Sequence, residues 1–249
     1  MKLQVVASGS KANCYILSAG EDKLILDAGV RFPVLQQALD FDYSVVQGCL
    51  ITHLHEDHMR CMEDVIKAGI EVYASPSTFF HVFEPCAYIG YTHYAGPPLR
   101  HEIGPWQVRS FDTQHDAAES LGYLIRYRPT GEMFVYATDT YYIPQCFPGV
   151  HFWLVECNYC TDTLNEQYAN GEIDKSLYRR LLTSHMSLET LKAYFTKAPP
   201  EEARKIVLCH LSDARSDETR MVREISGLTG VDTVAAQDGL VVELEQYPF

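Results

Sequence analysis

The feature that most constrains this chain is the segment His53-Leu54-His55-Glu56-Asp57-His58, which places three histidines and two acidic residues within six positions. Neutral imidazole and carboxylate are the ligands that zinc and similar divalent ions prefer. Burying so dense a cluster is costly unless a charge compensates it, and a bound metal does so. An apolar, strand-like run at residues 48–51 precedes the cluster, and residues 57–68 predict a helix. The sequence therefore predicts a metal site on a strand-to-helix loop.

Four further polar residues stand where apolar, strand-like runs come to an end. They are Asp27, His115, Asp139 and His210, which follow the runs at residues 23–26, 106–111, 133–137 and 206–209. A polar residue at one strand end is commonly a turn residue. Because the four recur at strand ends across residues 27–210, we expect them to converge on one edge of a sheet sandwich.

The H-x-H-x-D-H pattern of residues 53–58, together with these four residues in order along the chain, resembles the metallo-β-lactamase superfamily. The resemblance implies an α/β (α+β) fold, the αββα sandwich of two mixed β-sheets flanked by helices. It also implies two divalent metal ions, zinc or manganese. The ligands of the first ion would be His53, His55 and His115. The ligands of the second would be Asp57, His58 and His210. Asp139 would bridge both ions, and Asp27 would accept a hydrogen bond from a ligand and fix its tautomer.

Two ions about 3.5–4 Å apart can share a bridging hydroxide and neutralise both the attacking and the leaving oxygen of a hydrolysed bond. Asp57 would then serve twice, as a ligand and as the acceptor that orients or deprotonates the bridging water. These features favour a metal-dependent hydrolase over a sensor or scaffold, because the complete ligand set is retained.

The spacing of apolar residues predicts more strands than helices, in two groups that each contain helices. We expect helices after Pro33 and at residues 57–68, 176–182, 187–196 and 213–226. Since the motifs span most of the 249 residues, one domain, 1–249, is the better interpretation. The least regular stretch, residues 84–105, is rich in proline, glycine and tyrosine. It is interpreted either as a plain surface excursion or as a lid or the contact of a homodimer.

The formal net charge of −13 and the absence of a lysine- and arginine-rich run disfavour a grip on long nucleic acid. They favour a small anionic substrate, or a nucleic acid held at its end. No apolar run approaches the length of a membrane span, about 20 residues, so no membrane partner is expected. The eight cysteines are scattered, several within apolar runs, which suits reduced thiols and a cytoplasmic protein.

Glu156 ends a strand-like run, and His185 lies at a predicted helix start about thirty residues later. Ser184 and Ser187 beside it suit an N-cap. The pair resembles the motifs by which tRNase Z-like phosphodiesterases place a histidine over the scissile phosphate. By this resemblance His185 stabilises or protonates the leaving oxygen, and Glu156 holds the imidazolium.

The N-terminal segment at residues 7–15 looks like the start of the YycJ-type branch of the superfamily, as do residues 115–123 and 156–158. Two departures stand near the expected substrate: Ala12 replaces a glycine, and Tyr159-Cys160 replaces His-Asp. Substrate contacts are expected from Ser8, Asn13, Asn158, Ser187 and Ser212. The resemblance implies a nuclease of the DNA exonuclease type. A cyclic-nucleotide phosphodiesterase, of the phage type that destroys nucleotide signals, and a thioester or lactone hydrolase remain open as alternatives.

Overall fold

The computed structural model describes residues 1–82, 90–97 and 99–244, and within them two seven-stranded β-sheets. The strands of the first sheet, from edge to edge, are β14 (Val241–Glu243), β1 (Lys2–Ala7), β2 (Cys14–Ala19), β3 (Asp22–Leu26), β4 (Val46–Leu50), β5 (Val72–Ala74) and β6 (Thr92–Tyr94). The strands β14 to β3 pair antiparallel, whereas β3 to β6 pair parallel. The carboxyl ends of β3 and β4 therefore lie at the same edge of the sheet.

The second sheet repeats this division into a parallel and an antiparallel half. Its strands, from edge to edge, are β13 (Asp232–Ala235), β12 (Lys205–Cys209), β11 (Phe152–Glu156), β10 (Met133–Ala137), β9 (Leu121–Tyr127), β8 (Trp106–Asp112) and β7 (Arg100–Ile103). Neighbours from β13 to β10 are parallel, and neighbours from β10 to β7 are antiparallel. The ends of β10, β11 and β12 thus share one edge, where polar residues following them can meet.

The two sheets pack on each other through a layer of buried apolar side chains supplied by both. Leu17 and Leu26 of the first sheet and Trp106, Phe134 and Leu154 of the second are among them, and all are fully buried. Strand residues on the opposite faces pack against the helices, because successive side chains of a strand point to opposite faces. The predicted sandwich of two mixed sheets flanked by helices is confirmed.

Helices cover the outer face of each sheet. The described helices are α1 (Phe32–Ala38), α2 (Glu56–Met59), α3 (Met62–Lys67), α4 (Pro76–Val82), α5 (Thr161–Ala169), α6 (Lys175–Ser184), α7 (Leu188–Lys197) and α8 (Glu218–Thr229). The buried faces of α1 and α3 pack on the first sheet, and those of α7 and α8 pack on the second. None of the described helices is long and apolar enough to cross a membrane.

Two helix predictions are corrected by the structure. The single helix expected at residues 57–68 is two helices, α2 and α3, because the amide of Cys61 donates its hydrogen bond to the carbonyl of Ala28 on another loop. Ser184 is the last residue of α6 rather than the cap of the next helix. Ser187 alone caps α7, accepting a hydrogen bond from the amide of Thr190, so His185 lies in the junction between α6 and α7.

Part of the segment at residues 84–105, predicted to be a lid or dimer contact, lies outside the described residues, namely 84–89 and 98. The described part contains β6 and β7, each at the edge of its sheet. Short, polar strands of this kind carry little periodic signal, and the sequence did not predict them. The role of the segment stays a prediction.

Candidate metal centre

Three of the predicted site residues stand at strand ends in the left-handed backbone region. Asp27, Asp139 and His210 have φ angles of 58°, 48° and 53°. Asp27 and His210 directly follow β3 and β12, and Asp139 follows β10 after one intervening residue. Non-glycine residues seldom adopt this conformation, and those that do concentrate at functional sites. The turn at each residue carries its side chain toward the same edge of the sandwich, so residues more than a hundred positions apart come together.

The first group of predicted ligands consists of three histidine rings. His53 Nε2 lies 3.0 Å from His55 Nδ1, which in turn lies 3.2 Å from His115 Nε2. The opposite nitrogens of two of these rings are engaged elsewhere. His115 Nδ1 donates to the carbonyl oxygen of Ser184 at 2.8 Å, and His53 Nδ1 lies 3.0 Å from the hydroxyl of Thr52. The facing nitrogens of these two rings are thereby left as lone-pair donors for an ion.

The second group consists of Asp57, His58 and His210. His58 Nε2 lies 3.4 Å from Asp57 Oδ2, and His210 Nε2 lies 3.9 Å from the same oxygen. Behind the ring, His58 Nδ1 donates to Asp27 Oδ2 at 2.7 Å, with both side chains fully buried. This hydrogen bond fixes the tautomer in which Nε2 of His58 faces the group, which is the contact predicted for Asp27.

Asp139 lies between the two groups. Its Oδ2 is 3.1 Å from His58 Nε2, and its Oδ1 is 3.6 Å from His115 Nε2 and 3.7 Å from His210 Nε2. One carboxylate therefore faces nitrogen atoms of both groups, as a bridging ligand does. The side chain is almost completely buried.

The electrostatics of the cluster reflect this crowding. Burial, aided by neighbouring His58, lowers the pKa of His53 well below its usual value. Burial also lowers the pKa of His58 and His210, but the carboxylates they face together outweigh it. Asp139 and Asp27 raise the pKa of His58 well above its usual value, and Asp139, Asp57 and Glu156 raise that of His210 to about 10. Burial opposes ionisation of Asp139, yet His210 and His58 hold its pKa well below the usual range. The charged carboxylate is thus stabilised by the groups it faces.

The donor set fits divalent metal ions. Each of two residue groups, His53, His55 and His115, and Asp57, His58 and His210, brings its donor atoms within 4.8 Å of one another. His210 Nε2 is buried and has no hydrogen-bond partner within the described part of the chain. A buried polar atom without a partner is costly, and a metal ligand atom needs none. Imidazole and carboxylate together suit zinc, and also manganese where carboxylate dominates.

Glu156 and His185 adjoin the second group. Glu156 is fully buried, and its Oε1 accepts a hydrogen bond from His185 Nδ1 at 2.7 Å and lies 3.2 Å from His210 Nδ1. Its Oε2 accepts from the amides of Thr140 and Met186, at 2.8 and 3.2 Å. Burial lowers the pKa of His185, but Glu156 outweighs it and raises that pKa above its usual value. Glu156 therefore positions the His185 imidazole beside the metal cluster and favours its protonated form.

The cluster opens into a cleft of about 220 Å³. Members of both ligand groups, His185 and three residues of α6 line it, and they are Ser10, His55, Asp57, His115, Asp139, Leu177, Arg180, Leu181, His185 and His210. A larger cavity of about 550 Å³ is lined by residues 142–146 and by residues of α7. It holds no ligand group of the cluster, so the smaller cleft is the candidate site.

The residues expected to contact substrate are engaged with the protein itself. Ser8 Oγ accepts from the amide of His210 at 3.1 Å. The Nδ2 atom of the fully buried Asn13 lies 3.1 Å from His58 Nε2, and Asn158 Nδ2 donates to the carbonyl of His210 at 2.8 Å. Ser187 caps α7, and the amide of Ser212 donates to the carbonyl of Asn158. These residues hold the loops of the site, and their contact with substrate stays a prediction.

The structure adds residues that the sequence reasoning did not single out. The hydroxyls of Tyr136 and Thr52 donate to Asp27 Oδ2 at 2.6 and 3.0 Å, which orients the carboxylate toward His58. Asp116 Oδ1 lies 3.1 Å from His115 Nε2. Thr52 and Asp116 are each adjacent in sequence to a predicted ligand, which is a usable signal. Tyr136 offers none, because it is one buried aromatic residue of β10 among several apolar ones.

Known proteins share both sequence and fold with this chain. The family model of the beta-lactamase superfamily domain matches residues 22–211. The chain is 26% identical to the exodeoxyribonuclease WalJ of Streptococcus pneumoniae over 262 aligned residues, which cover 99% of this chain and 93% of that protein. It is also 26% identical to the exodeoxyribonuclease YycJ of Bacillus anthracis, over 85% of this chain and 83% of that one.

Among solved structures, the metallo-beta-lactamase fold protein YhfI from Bacillus subtilis matches with a TM-score of 0.73 and 17% identity, covering 97% of this chain and 98% of that one. The fold and the buried histidine and aspartate cluster together imply divalent metal ions. The family model spans residues 53–58 and the strand ends that carry Asp27, Asp139 and His210. The chain belongs to the beta-lactamase superfamily and has the metallo-β-lactamase fold.

Proposed function

We propose that this protein is a dinuclear-metal phosphodiesterase. The first ion would be held by His53, His55 and His115, and the second by Asp57, His58 and His210. Asp139 would be shared by both, and the ions would be zinc or manganese. The observation that carries the proposal is the Glu156–His185 pair, which places an imidazole with a raised pKa in the wall of the same cleft as the ligands. Hydrolysis of a lactam or thioester does not need such a pair.

The bound ions supply Lewis acidity toward the phosphate oxygens and lower the pKa of water near them. The chain's own residues do the rest. His185 Nδ1 is held by Glu156, which leaves Nε2 as the proton donor toward the leaving oxygen. Because Glu156 is ionised and fully buried, it stabilises the imidazolium until the proton is transferred. Asp57, partly exposed in the cleft, accepts a hydrogen bond from the attacking water and orients it.

We propose a nucleic acid end as substrate, with DNA favoured. The relatives that resemble this chain over most of its length are exodeoxyribonucleases by name. The cleft of about 220 Å³ is smaller than the roughly 300–1,000 Å³ that encloses a small-molecule ligand. A phosphodiester group fits inside it while the flanking nucleosides stay at the rim. The net charge of −13 favours holding only the end of a strand.

A cyclic-nucleotide phosphodiesterase is the second candidate, supported by the same acidic net charge. A cyclic mononucleotide presents one small anion and requires no extended basic surface. A thioester or lactone hydrolase is the third class, and in it His185 and Glu156 would have no role in the reaction.

One substrate comparison tests these candidates. The protein, loaded with manganese or with zinc, is incubated with linear DNA, with tRNA, with cyclic purine and pyrimidine nucleotides and with a thioester panel. Release of mononucleotides from the DNA end is the expected result. Preferential consumption of a cyclic nucleotide would select the second candidate. Thioester turnover that exceeds DNA cleavage and is comparable in His185→Ala would favour the third class.

We also propose that residues 1–249 form one domain, supported by the pairing of β14 with β1 at one edge of the first sheet.

The seven cysteines within the described residues are all free, and six of them are buried. Free thiols support a reducing compartment, so we propose a cytoplasmic protein. A homodimer formed through residues 84–105 stays a prediction, which the mass of the protein in solution tests.

A further inference from the structure

The cleft carries one cation that the reaction proposed above does not use. Arg180, on α6, is the single lysine or arginine among the described residues that line the cleft. Its side chain is 56% exposed, so the guanidinium is accessible to a ligand that enters the cleft. It lies on α6 five residues before His185, which stands in the junction that follows the helix. Both residues line the cleft.

The guanidinium is held in place through one nitrogen only. Arg180 Nε donates to Asp116 Oδ2 at 2.8 Å, and the other oxygen of Asp116 lies 3.1 Å from Nε2 of His115. One carboxylate thus links the arginine to a ligand of the first metal group. Within the described part of the chain, neither Nη atom of Arg180 has a hydrogen-bond partner. The hydrogen bond at Nε holds the guanidinium in place, and its two Nη groups are left available as donors.

A guanidinium fork is suited to bidentate recognition of phosphate. In the proposed reaction the scissile phosphate is bound by the metal groups and by His185. The guanidinium of Arg180, which lines the same cleft, is therefore available to the next phosphate along the strand. We propose that Arg180 binds the phosphate adjacent to the scissile one. The inference rests on the proposed phosphodiesterase function and narrows its substrate to a polynucleotide. A cyclic mononucleotide has no second phosphate and would leave the fork unused.

The same helix provides a matched control. Arg179 is the neighbouring residue, equally charged and exposed, but it is not among the residues that line the cleft. If Arg180 acted only by adding positive charge to an acidic protein, the two arginines would be equivalent. If it binds one particular phosphate, only Arg180 will depend on that phosphate.

The test uses the metal-loaded protein and short single-stranded DNA substrates in which one linkage at a time is replaced by an uncharged methylphosphonate. The linkage expected to be cleaved is kept intact, and kcat and KM are measured for the wild type, Arg180→Ala and Arg179→Ala. Hydrolysis of bis(4-nitrophenyl) phosphate, which has a single phosphate, is measured alongside the metal content of each variant.

We expect Arg180→Ala to raise KM for DNA about 10- to 100-fold, since a hydrogen bond to a charged group contributes about 1.5–3 kcal/mol. The methylphosphonate next to the scissile linkage should raise the KM of the wild type to a similar extent and that of Arg180→Ala hardly at all. The reason is that the substitution and the methylphosphonate remove the same contact. In Arg180→Ala, hydrolysis of the nitrophenyl diester and metal content should stay unchanged. Arg179→Ala should behave as the wild type throughout.

The assignment would be overturned if the effects of Arg180→Ala and of the methylphosphonate on KM were additive. It would also be overturned if Arg180→Ala and Arg179→Ala raised KM equally. An equal loss on the nitrophenyl diester would also overturn it, because Arg180 would then act on the scissile phosphate or on the site itself. These results differ from a failure of the proposed function. In that case the wild type would cleave neither DNA nor the nitrophenyl diester.

Discussion

The carboxylate of Glu156 accepts a hydrogen bond from Nδ1 of His185 at 2.7 Å, and the same oxygen lies 3.2 Å from Nδ1 of His210. One buried side chain therefore supports both the proposed proton donor and a proposed metal ligand. The rings of His185 and His210 stack at a centroid distance of 5.2 Å with an interplanar angle of 12°. Substitution of Glu156 is consequently expected to affect two functions, whereas substitution of His185 affects one.

This difference yields a prediction for His185→Ala. Loss of a general acid typically lowers kcat about 10²–10⁴-fold, and we expect a loss in this range on DNA with unchanged metal content. The loss should shrink on a nitrophenyl phosphodiester, because an acidic phenol hardly needs protonation to leave. Glu156→Gln should lower kcat and also weaken metal binding through His210. Equal losses on good and poor leaving groups would leave His185 as a binding residue only.

Asp27 is predicted to tune the metal site through His58. Asp27→Asn keeps the shape of the side chain but removes the charged acceptor of His58 Nδ1, and changes of this kind cost about 10–100-fold in metal affinity. Tyr136→Phe is the matched control, because it removes another hydrogen bond to the same carboxylate without touching a ligand. We expect it to lower the free energy of unfolding by about 1 kcal/mol and to weaken metal binding less than Asp27→Asn does, because the charged acceptor of His58 Nδ1 is retained. Metal titration and urea unfolding measure the two quantities.

The proposed ligands were predictable from the sequence because they stand in one dense motif and at strand ends. In parallel halves of a sheet, strand ends share an edge, so position along the chain translates into position in space. Asp27, Asp139 and His210 follow this rule, and the structure brings them together with His58. The strands were predictable for a different reason, because buried strands carry continuous apolar runs.

The features that the sequence did not predict depend on contacts between distant segments. The break between α2 and α3 arises where the amide of Cys61 bonds to Ala28, and no local pattern reveals that partner. The polar helix α5 buries Leu164 alone, too little for a periodic signal. The guanidinium of Arg180 is held by a hydrogen bond to Asp116, which lies 64 positions away in the chain.

Gly29 is predicted to be essential to the shape of the metal loop. A Cβ atom at Gly29 would lie 1.7 Å from the carbonyl oxygen of Asp57 and 2.9 Å from the amide of Asn13, both backbone atoms. Gly29→Ala must therefore displace the loop that carries Asp57, and we expect lower stability together with lower metal content. Gly227→Ala in α8 is the control, since its Cβ would meet no atom within 4 Å. That change should stabilise the protein by about 0.5–1 kcal/mol.

The chain stripped of metal should lose stability as the pH rises. Burial lowers the pKa of His210, but Asp139, Asp57 and Glu156 together outweigh it and raise the pKa to about 10, against about 6.5 in an unfolded chain. A raised pKa contributes stability that is fully present below about pH 6.5 and is lost as the pH approaches 10. Urea unfolding of EDTA-treated protein should show a falling free energy of unfolding across this window. A free energy that rises or stays constant would contradict the assignment.

The last prediction concerns the number of ions. Elemental analysis of the protein reconstituted with zinc or manganese should give two ions per chain. His58→Ala should leave about one, because His58 Nε2 faces Asp57 Oδ2 at 3.4 Å and Asp139 Oδ2 at 3.1 Å, and the first histidine group does not include it. His81→Ala, which removes an exposed histidine of α4 outside the cluster, should retain both ions. Fewer than one ion in the reconstituted wild type, or two in His58→Ala, would refute the dinuclear assignment.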